Sequence, residues 1–149
     1  MKNKLLTLLL LLFFIFFQNF LHADNLDIKA KNIKIDKNNE ITVFEKEVEI
    51  TDKFNNIINA DYVEYNKKDN FLKLEGNIYS KDINGNIFTS SKATYDNKNQ
   101  IFKSIGDTTF ETVEGYRIIS SNITIDNIES KITTDSKTII TDLENNKIF

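Results

Sequence analysis

The sequence predicts an all-β fold built as a stack of 30-residue β-hairpin repeats, and three observations carry that reading. The first is a constant period. A shift of 30 residues superimposes Ala30, Ala60, Ser90 and Ser120, then Ile33, Val63, Ala93 and Ile123, then Ile35, Tyr65, Tyr95 and Ile125, with Asp36, Asn66, Asp96 and Asp126 in step. A fixed spacing without insertions is the mark of one supersecondary unit stacked on the next. The second is alternation: from Leu26 onward apolar residues recur every second position, the period of a strand, and helical spacing is not seen. The third is punctuation by Asn, Asp and Gly, residues that tolerate a left-handed backbone and bond their own amides, while proline is absent altogether.

The unit is clearest from Ala60 to Ser90. Ala60-Asp61-Tyr62-Val63-Glu64-Tyr65 reads as an opening strand, Asn66 to Asn70 as a turn, Phe71 to Ser80 as the return strand, and Asn84-Gly85-Asn86 as a second turn. The opening strands all change parity midway: Ile58 and Ala60 give way to Val63 and Tyr65, Phe88 and Ser90 to Ala93 and Tyr95, Ile118 and Ser120 to Ile123 and Ile125. Side chains alternate faces along a strand, so both halves can face one core only if a bulge or bend absorbs the extra residue. Each repeat is therefore expected to contain a bent strand. The return strands keep Phe44, Val48 and Ile50, then Leu72, Leu74 and Ile78, then Phe102, Thr108 and Phe110 on one parity. Gly76 and Gly106 recur at one register inside them, which marks a shared bend, and Lys46 and Ser136 stand there in the first and fourth copies.

Ahead of the repeats, Lys2 and Lys4 precede an apolar run from Leu5 to Phe17 broken only by Thr7, and Leu21-His22-Ala23 offers a small residue for cleavage. That is the three-part pattern of a secretory signal peptide, and the run falls short of the roughly 20 residues a spanning helix needs. The expected organisation is a signal-peptide helix over residues 1–23 and one domain over residues 24–149, which stops as a further opening strand begins and so is expected to be the start of a longer chain.

Composition removes several functions. Without Lys2 and Lys4 the domain has 17 basic against 22 acidic residues, a formal charge of −5, and so lacks the electrostatic footprint of a nucleic-acid binder. There is no cysteine, and the single histidine is His22, inside the leader. Thiol nucleophiles, histidine-based triads and the usual zinc sites are excluded together. No cofactor or metal is expected; the acidic loops lack the D-x-[DN]-x-[DN]-G spacing of a calcium loop and read as turns. Asp61 and Glu64 are the nearest thing to a catalytic carboxylate pair, but charged residues on strands are far more often solvated faces.

A leader followed by units of the form A-D-x-V-x-Y, turn, L-x-L-x-G-N-I, turn with N-G resembles the OstA-like domains of lipopolysaccharide transport. The residues that carry the resemblance are Ala60 to Tyr65, Leu72-Lys73-Leu74-Glu75-Gly76-Asn77-Ile78, Asn84-Gly85 and Ala93-Thr94-Tyr95-Asp96, and the pattern covers the whole domain. The resemblance implies a twisted antiparallel β-jellyroll, open along one side, that holds the acyl chains of lipid A. It also implies a periplasmic location, at the outer membrane if the chain continues as a translocon. Implied partners are lipopolysaccharide, other Lpt jellyrolls added by β-augmentation, and further copies of the chain head to tail. The concave face expected to line the groove is Val48, Ile50, Ile58, Leu74, Ile78, Phe88, Phe110 and Ile118. The competing reading is that these side chains form a closed core of a purely structural envelope protein. Ile78→Asp separates the two: an open groove predicts loss of lipid contact with the fold intact, a closed core predicts unfolding.

Overall fold

The computed structural model describes residues 26–144 and 146–148; the leader, and with it the expected cleavage after Ala23, lies outside the described residues. The described chain contains thirteen strand segments and no helix. They are β1 (Asp27–Lys29), β2 (Asn32–Asp36), β3 (Ile41–Thr51), β4 (Ile57–Asn66), β5 (Phe71–Lys81), β6 (Ile87–Asp96), β7 (Ile101–Ser104), β8 (Asp107–Glu111), β9 (Arg117–Ser121), β10 (Ile123–Asp126), β11 (Lys131–Thr134), β12 (Ile139–Thr141) and β13 (Lys147–Ile148). All belong to one antiparallel sheet.

The pairing shows a simple meander. β1 and β2 both pair with β3, β7 and β8 both pair with β6, and β9 and β10 pair with β8 and β7 respectively, so each couple is one long strand interrupted by a bend. β11 and β12 continue the pattern against β10 and β9. Every pass therefore lies beside its neighbours in sequence, the arrangement that hairpin repeats dictate.

The bends fall where the parity slips. Register shifts lie between Glu45 and Val48, between Asn59 and Tyr62, and between Glu75 and Ile78. The chain turns there through left-handed backbone at the equivalent positions Lys46 (φ 66°), Gly76 (φ 77°) and Gly106 (φ 86°), followed by a second left-handed residue at Glu47 (φ 52°) and Asn77 (φ 44°). Lys46 thus adopts a conformation that costs an L-residue about 1–2 kcal/mol, where the other two repeats use glycine. Gly76 is further constrained, since a Cβ would lie 2.5 Å from the Asp61 carboxylate.

Two rows of turns close the meander. Four-residue turns at 37–40, 67–70, 97–100 and 127–130 each end on a left-handed residue, Glu40, Asn70, Gln100 and Ser130. The carbonyls of the first three accept from the amides of Lys67, Asn97 and Asn127 at 3.0–3.1 Å, which ties each turn to the next. In the opposite row, turns at 52–56, 82–86, 112–116 and 142–146 begin on Asp52, Asp82, Thr112 and Asp142. Asp52 Oδ1 accepts from the amides of Phe54 and Asn56 at 2.8 and 3.0 Å. Asn56 and Asn86 then accept from the amides of Ile83 and Val113, linking successive turns. These are Asx turns satisfying their own backbone, and among the described residues no cluster of acidic side chains is placed to hold a metal.

Because every pass bends at the same level, the sheet doubles over along that line and its two halves face each other. Phe44, Val63, Leu72, Leu74, Ala93, Tyr95, Phe102 and Ile123 come from the half nearer the four-residue turns, and Val48, Ile50, Ile58, Ala60, Ile78, Phe88 and Phe110 from the other; together they form one buried cluster. Phe88 and Phe102 meet from opposite halves, edge to face, with ring centroids 4.7 Å apart. The outer face carries cross-strand ion pairs such as Lys73–Glu64 at 2.8 Å and Lys92–Glu75 at 3.3 Å. Asp61 and Glu64 have separate partners, Asn77 Nδ2 and Lys73 Nζ.

Candidate functional site

The bend line seals one side of the doubled sheet, so access to the interior lies on the opposite side, between the two rows of turns. A cleft of about 250 Å³ opens there. Its floor is Ile58, Phe88, Phe102, Phe110 and Ile125, its far wall is Ile132, and its rim is polar, with Asp82, Asn84 and Asn86 on one lip and Asp126, Asn127 and Lys131 on the other. Strand alternation explains the floor: Ile58 and Phe88 are in register with Ser80, and Phe88 with Phe110, so one face of four neighbouring passes supplies the floor. Ser80, small and half-buried, leaves room where its neighbours are bulky.

At its N-terminal end the cleft is closed by a bond from one lip to the other. Tyr95 comes from the half-sheet beside the four-residue turns and Asp52 from the first five-residue turn, 43 residues away. The Tyr95 hydroxyl lies 3.0 Å from Asp52 Oδ2 and 2.9 Å from Gln100 Oε1, so one proton is shared between two acceptors. Gln100 is held in turn by donating to the Asn97 carbonyl and side chain at 2.6 and 3.1 Å. Tyr95, Asp52 and Gln100 are all buried. Burial first, and the Asp52 charge second, push the Tyr95 hydroxyl well above the usual tyrosine range, so this strap stays protonated wherever the fold persists.

The sequence-predicted groove residues divide between the cleft and the core. Ile58, Phe88 and Phe110 line the cleft, whereas Val48, Ile50, Leu74 and Ile78 are packed between the half-sheets, each no more than 1 % exposed, and Ile118 is half-buried at the C-terminal margin. Tyr95, Phe102, Ile125 and Ile132 complete the cleft and were not on that list. Their signal was present: Tyr95 and Phe102 occupy the inward parity of Tyr65 and Leu72 one repeat earlier. What alternation does not reveal is that the half-sheet beside the four-residue turns folds back over the other.

Both ends of the sheet leave apolar surface uncovered. Ile33 and Ile35 on β2 share the inward face with Phe44 yet are 53 % and 67 % exposed, because among the described residues no further strand lies beyond them. At the other end Ile132 on β11 is 38 % exposed, and among the described residues β11 pairs only with β10.

A doubled, bent antiparallel meander with an apolar interior that opens between its turn rows defines the class of open β-jellyrolls, the architecture that the sequence resemblance implies. One solved structure it is similar to is described as LptH, the LptA-homologous periplasmic component of the conserved lipopolysaccharide transport device from Pseudomonas aeruginosa. The two superpose with a TM-score of 0.69 at 13 % sequence identity, over 77 % of this chain and 87 % of that one. No family model matches the sequence, and no curated protein matches it.

Proposed function

We propose that this domain carries lipopolysaccharide-class amphiphiles through the periplasm, shielding their acyl chains in the cleft and handing them on to neighbouring Lpt jellyrolls docked at its ends. The observation that carries the reading is the cleft itself, an apolar floor reached through a polar rim, in a fold shared with a lipopolysaccharide-transport component. A volume of 250 Å³ is about eight times the ~30 Å³ occupied by one water, room for a chain segment of about that many methylenes. At ~0.8 kcal/mol per methylene kept from water, one such segment gains roughly 6 kcal/mol, which offsets the loss of bilayer contact for that segment of chain and no more. Ile33 and Ile35 at one end and Ile132 at the other extend the inward apolar face to the free edges. A second jellyroll adding a strand there would prolong the slot, and copies of this chain or an outer-membrane partner are the expected neighbours. The side chains of the cleft offer shape and apolar contact, which suits carriage.

The test is binding of a fluorescent acyl probe and its displacement by lipopolysaccharide, compared between the native protein and Ser80→Trp, which fills the cleft from a half-buried position. Binding that is displaced by lipopolysaccharide and lost in Ser80→Trp supports carriage. Absence of binding by the native protein sinks it and leaves a structural envelope repeat.

A further inference from the structure

The closed end of the cleft and its open mouth are the same place in successive repeats. The closed end is built from Asp52, Tyr95, Asn97 and Gln100, all buried. A shift of 30 residues carries these four onto Asp82, Ile125, Asn127 and Ser130, and every one of the second four borders the cleft. None of the second four is buried: Asp82 and Ile125 are half-buried, Asn127 and Ser130 exposed. Tyr95 and Ile125 also stand on either side of Phe102 in the half-sheet, each in register with it. One repeat therefore joins the lips and the next leaves them apart, on equivalent backbone.

The side chains explain the difference. Asp82 is set in its turn as Asp52 is: its Oδ1 accepts from the Asn86 amide at 2.8 Å and its Oδ2 from Asn86 Nδ2 at 2.6 Å, where Asp52 accepts from Asn56 at 3.0 and 2.9 Å. Asp52 Oδ2 accepts one bond more, from the Tyr95 hydroxyl, which also donates to Gln100. Isoleucine at 125 has no proton to offer Asp82, and Ser130 lacks the reach of Gln100. Burying a carboxylate short of a partner is costly, so the Asp82 lip stays at the solvent where Asp52 is drawn in.

We propose that the residue at this register decides how far the cleft runs, so that the Tyr95–Asp52 bond fixes the length of acyl chain the domain takes up. The inference rests on the carrier reading and gives it a substrate limit. A segment of about eight methylenes lies in the cleft, and methylenes beyond it gain nothing from the protein.

Two exchanges between repeats test this. Tyr95→Ile with Gln100→Ser writes the open register into the closed position. Ile125→Tyr with Ser130→Gln does the reverse, with Asp82 already in place, and adds a bond rather than removing one, so it serves even where the first variant fails to fold. After circular dichroism has shown which variants are folded, a fluorescent acyl probe is displaced from each by alkyl maltosides of increasing chain length, below their micellar concentrations. In the native protein affinity is expected to rise about fourfold per methylene and to level off near eight. Tyr95→Ile with Gln100→Ser is expected to level off at a longer chain. Ile125→Tyr with Ser130→Gln is expected to level off at a shorter one and to bind the probe at least about tenfold more weakly. One levelling length in every folded variant overturns the proposal. So does an equal effect of Ile125→Phe with Ser130→Gln, which adds the ring without the hydroxyl and would show filling in place of a bond. The new bond has a readout of its own: Ile125→Tyr should add a second tyrosine that resists ionisation in an absorbance titration, and titration alongside the exposed Tyr79 and Tyr116 overturns the bond. If the native protein binds no probe while the second resistant tyrosine appears, the carrier reading falls and the bond between the lips stands. If the probe binds and the levelling length never moves, the role of Tyr95 falls and the carrier reading stands.

Discussion

The bend register provides a graded test of how the sheet is made to double over. Positions 46, 76 and 106 are equivalent by the repeat and all left-handed, but they hold Lys, Gly and Gly. Placing alanine at Gly106 meets no atom within 4 Å, so only backbone strain of about 1–2 kcal/mol opposes it, less the ~0.4–1 kcal/mol by which alanine restricts the unfolded chain. Alanine at Gly76 meets the same strain and also drives its Cβ to within 2.5 Å of Asp61 Oδ2, displacing the carboxylate from its 2.7 Å bond to Asn77. That bond is worth a further ~0.5–1.5 kcal/mol. Lys46→Gly runs the other way, relieving the strain at the entropic cost of glycine. The expected order is Lys46→Gly more stable than native by about 0.5–1 kcal/mol, Gly106→Ala less stable by about 1 and Gly76→Ala by about 2. Urea unfolding followed by circular dichroism reads these as midpoint shifts, about 1 M for Gly76→Ala at a typical slope of ~2 kcal/mol/M. If Lys46→Gly destabilises, or if Gly106→Ala costs as much as Gly76→Ala, the strain argument is wrong.

Four other outcomes are expected. Tyr95→Phe removes the lip-to-lip strap and leaves the buried Asp52 and Gln100 acceptors short of a donor, which should cost about 1–3 kcal/mol in the same urea assay. Because the folded-state pKa of Tyr95 is raised above its ordinary value near 10, its contribution to stability is complete below that pH and declines as pH rises past it. Absorbance titration should therefore show one of the five tyrosines resisting ionisation until the protein unfolds, and Tyr95→Phe should abolish that fraction; five tyrosines titrating together would contradict it. Ile78→Asp places a carboxylate where the native side chain is 1 % exposed and outside the cleft, so loss of the folded circular dichroism signal is expected, and that loss reports on the core between the half-sheets rather than on whether the cleft takes lipid. Ile33→Lys with Ile35→Lys should leave the monomer's stability within about 0.5 kcal/mol, as exposed substitutions do, but reduce end-to-end crosslinking of jellyrolls; undiminished crosslinking would place the docking edge elsewhere.

Much of the fold was legible because it is periodic. The shift of parity at Ala60 and Val63 and the recurrence of Gly76 and Gly106 locate the bends, and the register shifts in the sheet fall at those residues. The site was less legible. Seven of the eight residues expected to line a groove lie in the half-sheet beside the five-residue turns, and four of the eight prove to be sealed core, because alternation tells inward from outward and not lined from filled.

The sequence by itself determined the unit, its period, its turns and the inward face of each strand, since these depend on contacts between residues close along the chain or one repeat apart. Only the tertiary structure decided which inward side chains meet their counterparts across the doubled sheet and which border open space. That outcome depends on Phe88 reaching Phe102 and on Tyr95 reaching Asp52 from the opposite half. The Tyr95–Asp52 contact spans 43 residues, a separation that no single repeat encodes.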